Sequence, residues 1–367
     1  MKKNIEKELI NIAIIGCGRI SKNHIKSILI EQKRSRLVAI CDTSNERLLS
    51  SIELIKSLSK EKDILYNPPK QFLNYSELIE EVTTKKINVD LVVLTTPSGM
   101  HFSQTKLAAE AGINICTEKP MAVKWEHGLE MINSCKKNNV RLFVVKQNRL
   151  NKTVQLVKKQ IDKGRFGKIA LVTINVFWQR PQAYYDQDEW RGTKELDGGA
   201  LMNQASHYVD FIDWLIGPID YLSATTSTIS RSIESEDTAV IQMKWRNGAL
   251  GTMAVTMLAY PRNIEGSITI LGEKGSVKIG GKAVNKIELW EFSDNSEDDL
   301  LVEDSNYETT SVYGFGHQAY WANMLDALLN NKKAICEGND GLKSLELLIA
   351  SYKSSYEKKI IKLPLKS

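Results

Sequence analysis

Three short stretches of this chain carry residue types that can do chemistry. In "DGGALMNQASHYVD" (residues 197–210), Asn203 and His207 stand four positions apart, a spacing that puts both on one face of a helix. An imidazole titrates near neutral pH and can take and return a proton, whereas an amide can only orient its neighbours through hydrogen bonds. In "TEKP", Lys119 precedes Pro120, whose ring restricts the backbone before it and gives the lysine a defined direction. Its ammonium can favour an alkoxide-like form of a bound hydroxyl. In "GCGRIS", Gly16 and Gly18 close an apolar run and open a helical one. Gly16 permits the tight turn, and Gly18 lets a pyrophosphate approach the backbone at a helix N-terminus. Asp42 ends the next apolar run, where a carboxylate accepts from an adenosine ribose and repels a 2′-phosphate, so NAD is expected over NADP. The competing reading is a tight strand–helix turn with a capping aspartate.

The elements that must position these residues are legible from periodicity. "INIAIIG" and "RLVAICD" are continuous apolar runs, as strands buried on both faces require. Helical patterns succeed each, the second leading through "NPPKQFLNYSELIEE" into another helix. "VDLVVLTTPSGMH" is the strongest strand, "INICTEKP" reads as a fifth and "RLFVVKQN" as a sixth. Strands alternating with helices imply a parallel sheet covered on both faces, an α/β Rossmann domain over 1–148. Lys119 then lies at the carboxyl edge of that sheet, the ligand side of such folds. After Arg149 the alternation stops. "FGKIALVTINVFWQR" is a long strand, the Asn203/His207 stretch a helix, and the chain beyond about Tyr221 mostly strand, with an Asn247-Gly248 hairpin turn. A second, α+β domain with a large open mixed or antiparallel sheet is expected over 149–335, one face on helices and the other buried in an oligomer. "SDNSEDDLLVEDSNYE" reads as a solvated acidic loop, and 336–367 as a helical segment packing back on the first domain.

At 367 residues, with 42% hydrophobic and 25% charged content, two globular domains are the natural division. No apolar run approaches the roughly 20 residues that span a bilayer. The N-terminal "MKKNIEKELINIAIIG" has a short apolar part, no small-residue cleavage site and runs straight into the glycine motif, so a cytoplasmic location is expected. The net charge of +5, from 49 basic against 44 acidic residues, is spread without a block; it suits an anionic small substrate and gives no argument for nucleic acid. Five cysteines show no CxxC or Cys/His spacing, which argues against structural zinc.

The combination of "GCGRIS", "TEKP" after the fifth strand and "GG…N…H" in the second domain resembles the Gfo/Idh/MocA oxidoreductase family over nearly the whole chain. The blocks "KQNRLN", "GRFGKI", "WQRPQAYYDQDEWRGT", "DGGALMNQASHYVD" and "YGFGH" look like its bacterial members that oxidise UDP-N-acetylglucosaminuronic acid at C3 for O-antigen and related surface sugars. The resemblance implies an NAD enzyme, a dimer or tetramer formed through the C-terminal sheet, and Lys119 and His207 flanking the nicotinamide. It implies cofactor contacts from Gly16, Gly18, Arg19, Ile20, Asp42, Thr95, Pro97, His101, Glu118, Lys119 and Gln147. Many members carry aspartate where this chain has Asn203, so a Lys–Asp–His proton relay is not expected here.

A nucleotide sugar with a pyrophosphate and a carboxylate suits the cluster Arg180, Tyr184, Tyr185 and Arg191, because guanidinium forks bind such groups at two points. Lys146, Arg149 and His317 join Lys119, Asn203 and His207 as candidate substrate contacts. For each arginine a structural ion pair is an even alternative, as is helix capping for His24 and His101. A dehydrogenase or ketoreductase of the same fold acting on another nucleotide sugar, a free sugar or an inositol would use the same residues. A dinucleotide-sensing regulator would need neither Lys119 nor His207.

Overall fold

Ile10–Ile15 (β1) is apolar apart from Asn11 and becomes the centre of a six-stranded sheet. The computed structural model describes residues 9–309 and 314–365. The first eight residues and Tyr313 of "YGFGH" lie outside the described residues. The chain divides into two units. One takes residues through Ala122, Glu126–Val145 and His317–Leu342; the other takes Val123–Trp125, Lys146–Gly316 and Lys343 onward.

In the first unit, β1 is joined by Ser35–Cys41 (β2), Lys70–Phe72 (β3), Leu91–Leu94 (β4), Asn114–Thr117 (β5) and Leu142–Val144 (β6) in the order β3-β2-β1-β4-β5-β6. Every pairing is parallel. The order reverses between β1 and β4, the switch point outside which doubly wound sheets bind ligands. β3 lies in the stretch read as leading into a helix; three residues are too few to show a period. Helix Asn45–Glu61 starts where the Ser44 side chain accepts from the Arg47 amide, and Tyr75–Thr83 where Asn74 accepts from Ser76, the usual remedy for unpaired amides at a helix start. Tyr320 and Trp321, on helix Gly316–Leu329, are fully buried.

The second unit holds Ile169–Phe177 (β7), Ile219–Ser227 (β8), Thr238–Trp245 (β9), Leu250–Thr256 (β10), Glu265–Gly272 (β11), Gly275–Gly280 (β12), Lys286–Phe292 (β13) and Ile361–Lys362 (β14). They form one mixed sheet in the order β13-β12-β11-β7-β10-β9-β8-β14. Only β7 and β10 run parallel. The Asn247-Gly248 turn joins β9 to β10 as expected.

Three expectations change. The acidic stretch is not a loop: it folds as a 3-10 helix, Glu297–Leu301, and a short α-helix, Val302–Ser305, started by a capping box between Ser296 and Asp299. Asp298 there is buried and accepts from Lys159 at 2.7 Å and Lys163 at 2.6 Å. The C-terminal segment is divided inside helix Gly338–Glu357: residues through Leu342 belong to the first unit, whereas Lys343 onward belongs to the second, where β14 pairs with Tyr221 and Leu222. The stretch 197–210 is not one helix. A single turn, Gly199–Met202, stops at Asn203, and a new helix, Ser206–Ile216, begins three residues later. The Ala205 amide reaches back to the Ala200 carbonyl, five residues away, and the Tyr208 amide turns to Ala205, so the four-residue register between Asn203 and His207 is lost.

Candidate active site

The dinucleotide elements of the first unit fall where the sequence placed them. Gly16 has φ +93°, and a Cβ there would meet the Thr95 and Thr96 backbone at 2.9 Å, whereas nothing lies within 4 Å of a Cβ on Gly18. The turn is thus closed on the β4 side and open above Gly18, ahead of helix Ser21–Ile30, as a pyrophosphate cradle requires. Arg19 is exposed and Ile20 half-buried on the same turn. The buried Asp42 carboxylate accepts from the Cys17 amide at 2.7 Å and the Ser44 amide at 2.9 Å. A carboxylate has about four lone-pair sites, so two remain for a ribose diol. Thr95 Oγ1 lies 2.5 Å from the Gly16 carbonyl and 3.1 Å from that of Ile15, and Pro97 leads into the 3-10 turn after β4. These residues fit NAD.

Neither histidine near this turn caps a helix. His101 spans two backbone carbonyls, Nδ1 to Pro120 at 3.0 Å and Nε2 to Thr96 at 3.1 Å. It ties the end of "TEKP" to the loop after β4, and burial, opposed by those carbonyls, pushes its pKa down. His24 is fully buried. Its Nε2 lies 2.9 Å from Glu118 Oε1, and its Nδ1 lies 3.1 Å from Trp321 Nε1. An indole nitrogen only donates, so Nδ1 accepts and Nε2 carries the proton given to Glu118. Burial works against the Glu118 charge, but the His24 hydrogen bond and the nearby Lys119 outweigh it and hold the carboxyl at about 2. Glu118 Oε2 in turn accepts from the Lys119 amide at 3.2 Å. A buried anion is thereby fixed beside a half-buried lysine.

His317 packs edge-on against His24, ring centroids 5.6 Å apart. Burial, with His24 beside it, pushes its pKa down to about 3. Ligand atoms of His24, Glu118 and His317 lie within 4.8 Å of one another, a spacing a metal could use. Trp321 argues against that use. If the His24 Nε2 lone pair went to a metal, the ring proton would have to move to Nδ1, where the indole N–H already points.

In the second unit, the two residues of "MNQASH" have separate partners. Asn203 Nδ2 lies 2.5 Å from Asp197 Oδ1, and the other Asp197 oxygen accepts from the Gly192 amide at 2.7 Å. His207 Nε2 lies 3.1 Å from Gln147 Nε2. Gln147, expected at the cofactor, has His207 as a partner within the second unit. Lys146 and Arg149, expected at substrate, are buried against Asp210. Arg149 grips both carboxylate oxygens at 2.7 Å, Lys146 Nζ stands at 3.8 Å, and Ser344 adds a bond of 2.8 Å. Burial opposes this charge too, yet Arg149 and Lys146 bring the Asp210 carboxyl to about 2. Both are thereby tied to the aspartate of "HxxD" on helix Ser206–Ile216.

The aromatic–arginine cluster does assemble. Arg191 bonds Asp188 and the Tyr184 hydroxyl, both at 2.9 Å, and lies over the Tyr184 and Trp190 rings. Arg180 lies over Trp178 and Tyr184 and bonds Asn263 at 3.2 Å. Tyr185 is buried edge-on against Tyr184, with no hydrogen-bond partner for its hydroxyl. Sequence reasoning missed Asp197, Trp321 and the Gln147–His207 bond. It also missed the buried Gln204, whose two amide atoms lack partners. Its position beside Asn203 was the one available signal.

Residues 10–146 match the model of the oxidoreductase family NAD-binding Rossmann fold, and residues 158–363 its C-terminal alpha/beta domain, both of the GFO_IDH_MocA type. The chain is similar to the WlbA dehydrogenase of Bordetella pertussis, solved with NADH and UDP-GlcNAcA: 49% identity, TM-score 0.90, covering 99% of this chain and 100% of that one. The Chromobacterium violaceum WlbA dehydrogenase, solved with the same two ligands, matches at 45% identity and TM-score 0.90 over 99% and 98%. The myo-inositol 2-dehydrogenase of Thermotoga maritima is 26% identical over 96% of this chain and 98% of its own.

Proposed function

This chain belongs to the Gfo/Idh/MocA oxidoreductase family, and from that premise we propose that it oxidises the C3 hydroxyl of UDP-N-acetylglucosaminuronic acid to the 3-keto sugar. The observation that carries this reading is the full-length likeness, at 49% and 45% identity, to two dehydrogenases solved with NADH and that sugar nucleotide. The chain is an NAD-dependent sugar dehydrogenase, and NAD supplies the hydride acceptor.

The remaining roles fall to side chains. His207 takes the hydroxyl proton, exchanging its bond to Gln147 for one to the substrate. Lys119, beside the fixed Glu118 anion, stabilises the developing alkoxide. Asn203 has no proton to pass on; held by Asp197, it aligns the sugar. Arg180 and Arg191, stacked on aromatic rings, are the candidates for the substrate's carboxylate or phosphates. The product suits a later aminotransferase in surface-polysaccharide synthesis.

Association of copies through the second sheet is part of this reading. Leu171, Val240 and Leu250, on β7, β9 and β10, are 38%, 48% and 52% exposed and stand on its uncovered face, a pattern that suits burial by a second copy. No helix among the described residues is long and apolar enough to cross a membrane.

Incubation with NAD and a panel of nucleotide sugars, with and without 2-oxoglutarate, tests the substrate by product mass. The keto acid matters because NADH reoxidised in place would not accumulate. Turnover of another sugar, with no keto product from UDP-N-acetylglucosaminuronic acid, would overturn the reading.

A further inference from the structure

The glycine pair that opens the Asn203 turn rests on a carboxyl group that none of these steps uses. Glu236, in the loop before β9, is 6% exposed. Its Oε1 accepts from the Leu201 amide at 2.8 Å and lies 2.8 Å from the Tyr352 hydroxyl oxygen. That oxygen also lies 2.5 Å from the Gly198 carbonyl. The Ala200 amide donates to the Glu236 carbonyl at 3.2 Å. Gly199, at φ +93°, cannot carry a side chain, because a Cβ would collide with Glu236 Oε2. Glu236 and Tyr352 thus hold Gly198, Ala200 and Leu201, the residues that lead into Asn203.

A phenol has one proton to donate, and two oxygens compete for that of Tyr352. With Glu236 ionised, the carboxylate draws the proton, and the Gly198 carbonyl faces a lone pair. With Glu236 protonated, its own proton goes to the Tyr352 oxygen, whose hydroxyl is then released to the Gly198 carbonyl. Only the second arrangement satisfies both contacts.

On the reading that Asn203 aligns the sugar, we propose that Glu236 and Tyr352 are positioning residues: they fix the Gly198–Asn203 turn for substrate while Glu236 is protonated and slacken it when Glu236 ionises. The surroundings place this change at neutrality. Burial, opposed by the Leu201 amide and the Tyr352 hydroxyl and reinforced by the Asp197 carboxylate, pushes the Glu236 pKa up to about 7. Tyr352 stays protonated throughout, since burial and Glu236 raise its pKa well above the ordinary tyrosine value. Asp237, next in the chain, turns to the amides of Ile229, Ser230 and Arg231; burial opposes its charge, and these amides hold its carboxyl low.

Two measurements on the NAD-bound enzyme test the pair. Carbon-13 spectra of glutamate-labelled protein, assigned by the signal that Glu236→Gln removes, should show a carboxyl midpoint near 7. A midpoint in the ordinary glutamate range overturns the inference whatever the substrate is. The KM for UDP-N-acetylglucosaminuronic acid from pH 5.5 to 8.5 should rise about fivefold through the same midpoint, the worth of one neutral hydrogen bond. Glu236→Gln should show one KM at every pH, because an amide does not titrate in this range, and Tyr352→Phe should keep the high KM, each with a melting curve to check folding. A KM transition that survives Glu236→Gln overturns the inference. Asn203→Ala separates the two readings. If it leaves KM unchanged, the role of Asn203 fails; if it raises KM while the wild-type KM is flat with pH, only the inference fails.

Discussion

Gln147 Nε2 sits 3.1 Å from His207 Nε2, so the amide donates to the ring and the His207 proton is on Nδ1. The nitrogen proposed as base is therefore an acceptor at rest, with its lone pair held by a group that substrate must replace. His207→Asn should lower kcat by roughly 10²–10⁴-fold, the span of general-base catalysis, and leave the Kd for NAD within about threefold. Gln147→Leu frees that lone pair, so it should not lower kcat/KM and should raise it by up to about tenfold, the worth of the one hydrogen bond that substrate no longer displaces. Steady-state kinetics with a separate NAD titration reads both. Equal loss of turnover and NAD binding in His207→Asn would make the residue structural.

Asp42 holds the Cys17 and Ser44 amides and has lone pairs left over for a ribose diol. Removing the carboxylate in Asp42→Ala should raise the KM for NAD by about 10- to 100-fold, since one or two hydrogen bonds to a charged group are lost. It should also narrow the preference for NAD over NADP, because the 2′-phosphate no longer meets a negative charge. An unaltered cofactor ratio would remove Asp42 from the ribose site.

The buried pair Arg149–Asp210 predicts a stability effect with a definite sign in pH. The Asp210 carboxyl falls from 3.8 to about 2 on folding, with burial overcome by Arg149 and Lys146. A depressed carboxyl stabilises the fold above its unfolded pKa, and here about 2 kcal/mol is lost as pH falls from about 4 to 2. Arg149→Met should cost about 3–5 kcal/mol near neutrality by leaving the buried Asp210 charge with only the Ser344 hydroxyl and the more distant Lys146. The double variant Arg149→Met/Asp210→Leu should recover part of it. Denaturant midpoints at pH 7 and pH 3 measure these effects, and a silent Arg149→Met would return that arginine to the candidate substrate contacts.

What the sequence showed and what it hid divide by distance along the chain. Gly16, Gly18 and Asp42 lie within 27 positions, in one strand–turn–helix–strand unit whose periods reveal every part, and the structure puts them there. Lys119 was found because proline marks the end of its strand. The helix proposed over 197–210 failed because tertiary contacts decide it. Glu236 lies against Gly199 and Tyr352 binds Gly198, contacts that no local spacing announces. The pairs that set proton positions, Gln147 with His207 and His24 with Trp321, are 60 and 297 residues apart and carry no sequence signature. Arg149 was legible as a charged residue near a site; only its partner reveals that its charge is already matched.

The His24–Glu118–His317 cluster supplies the last prediction. Its ligand atoms are close enough for a metal, yet Trp321 Nε1 donates to His24 Nδ1 at 3.1 Å, so the proton of a neutral ring is confined to the nitrogen that faces Glu118. Binding a cation through that nitrogen would require an imidazolate, or a proton on Nδ1 with the indole N–H left buried and unpaired, at about 1–3 kcal/mol. Dialysis of the enzyme against EDTA should therefore leave kcat unchanged, and elemental analysis after exposure to zinc should find none that depends on His24. Trp321→Phe lifts the constraint and should admit zinc to the cluster, seen as metal retained by that variant and lost again when His24→Asn is added. Stoichiometric zinc in the wild-type protein that disappears with His24→Asn alone would show that the indole does not guard the ring.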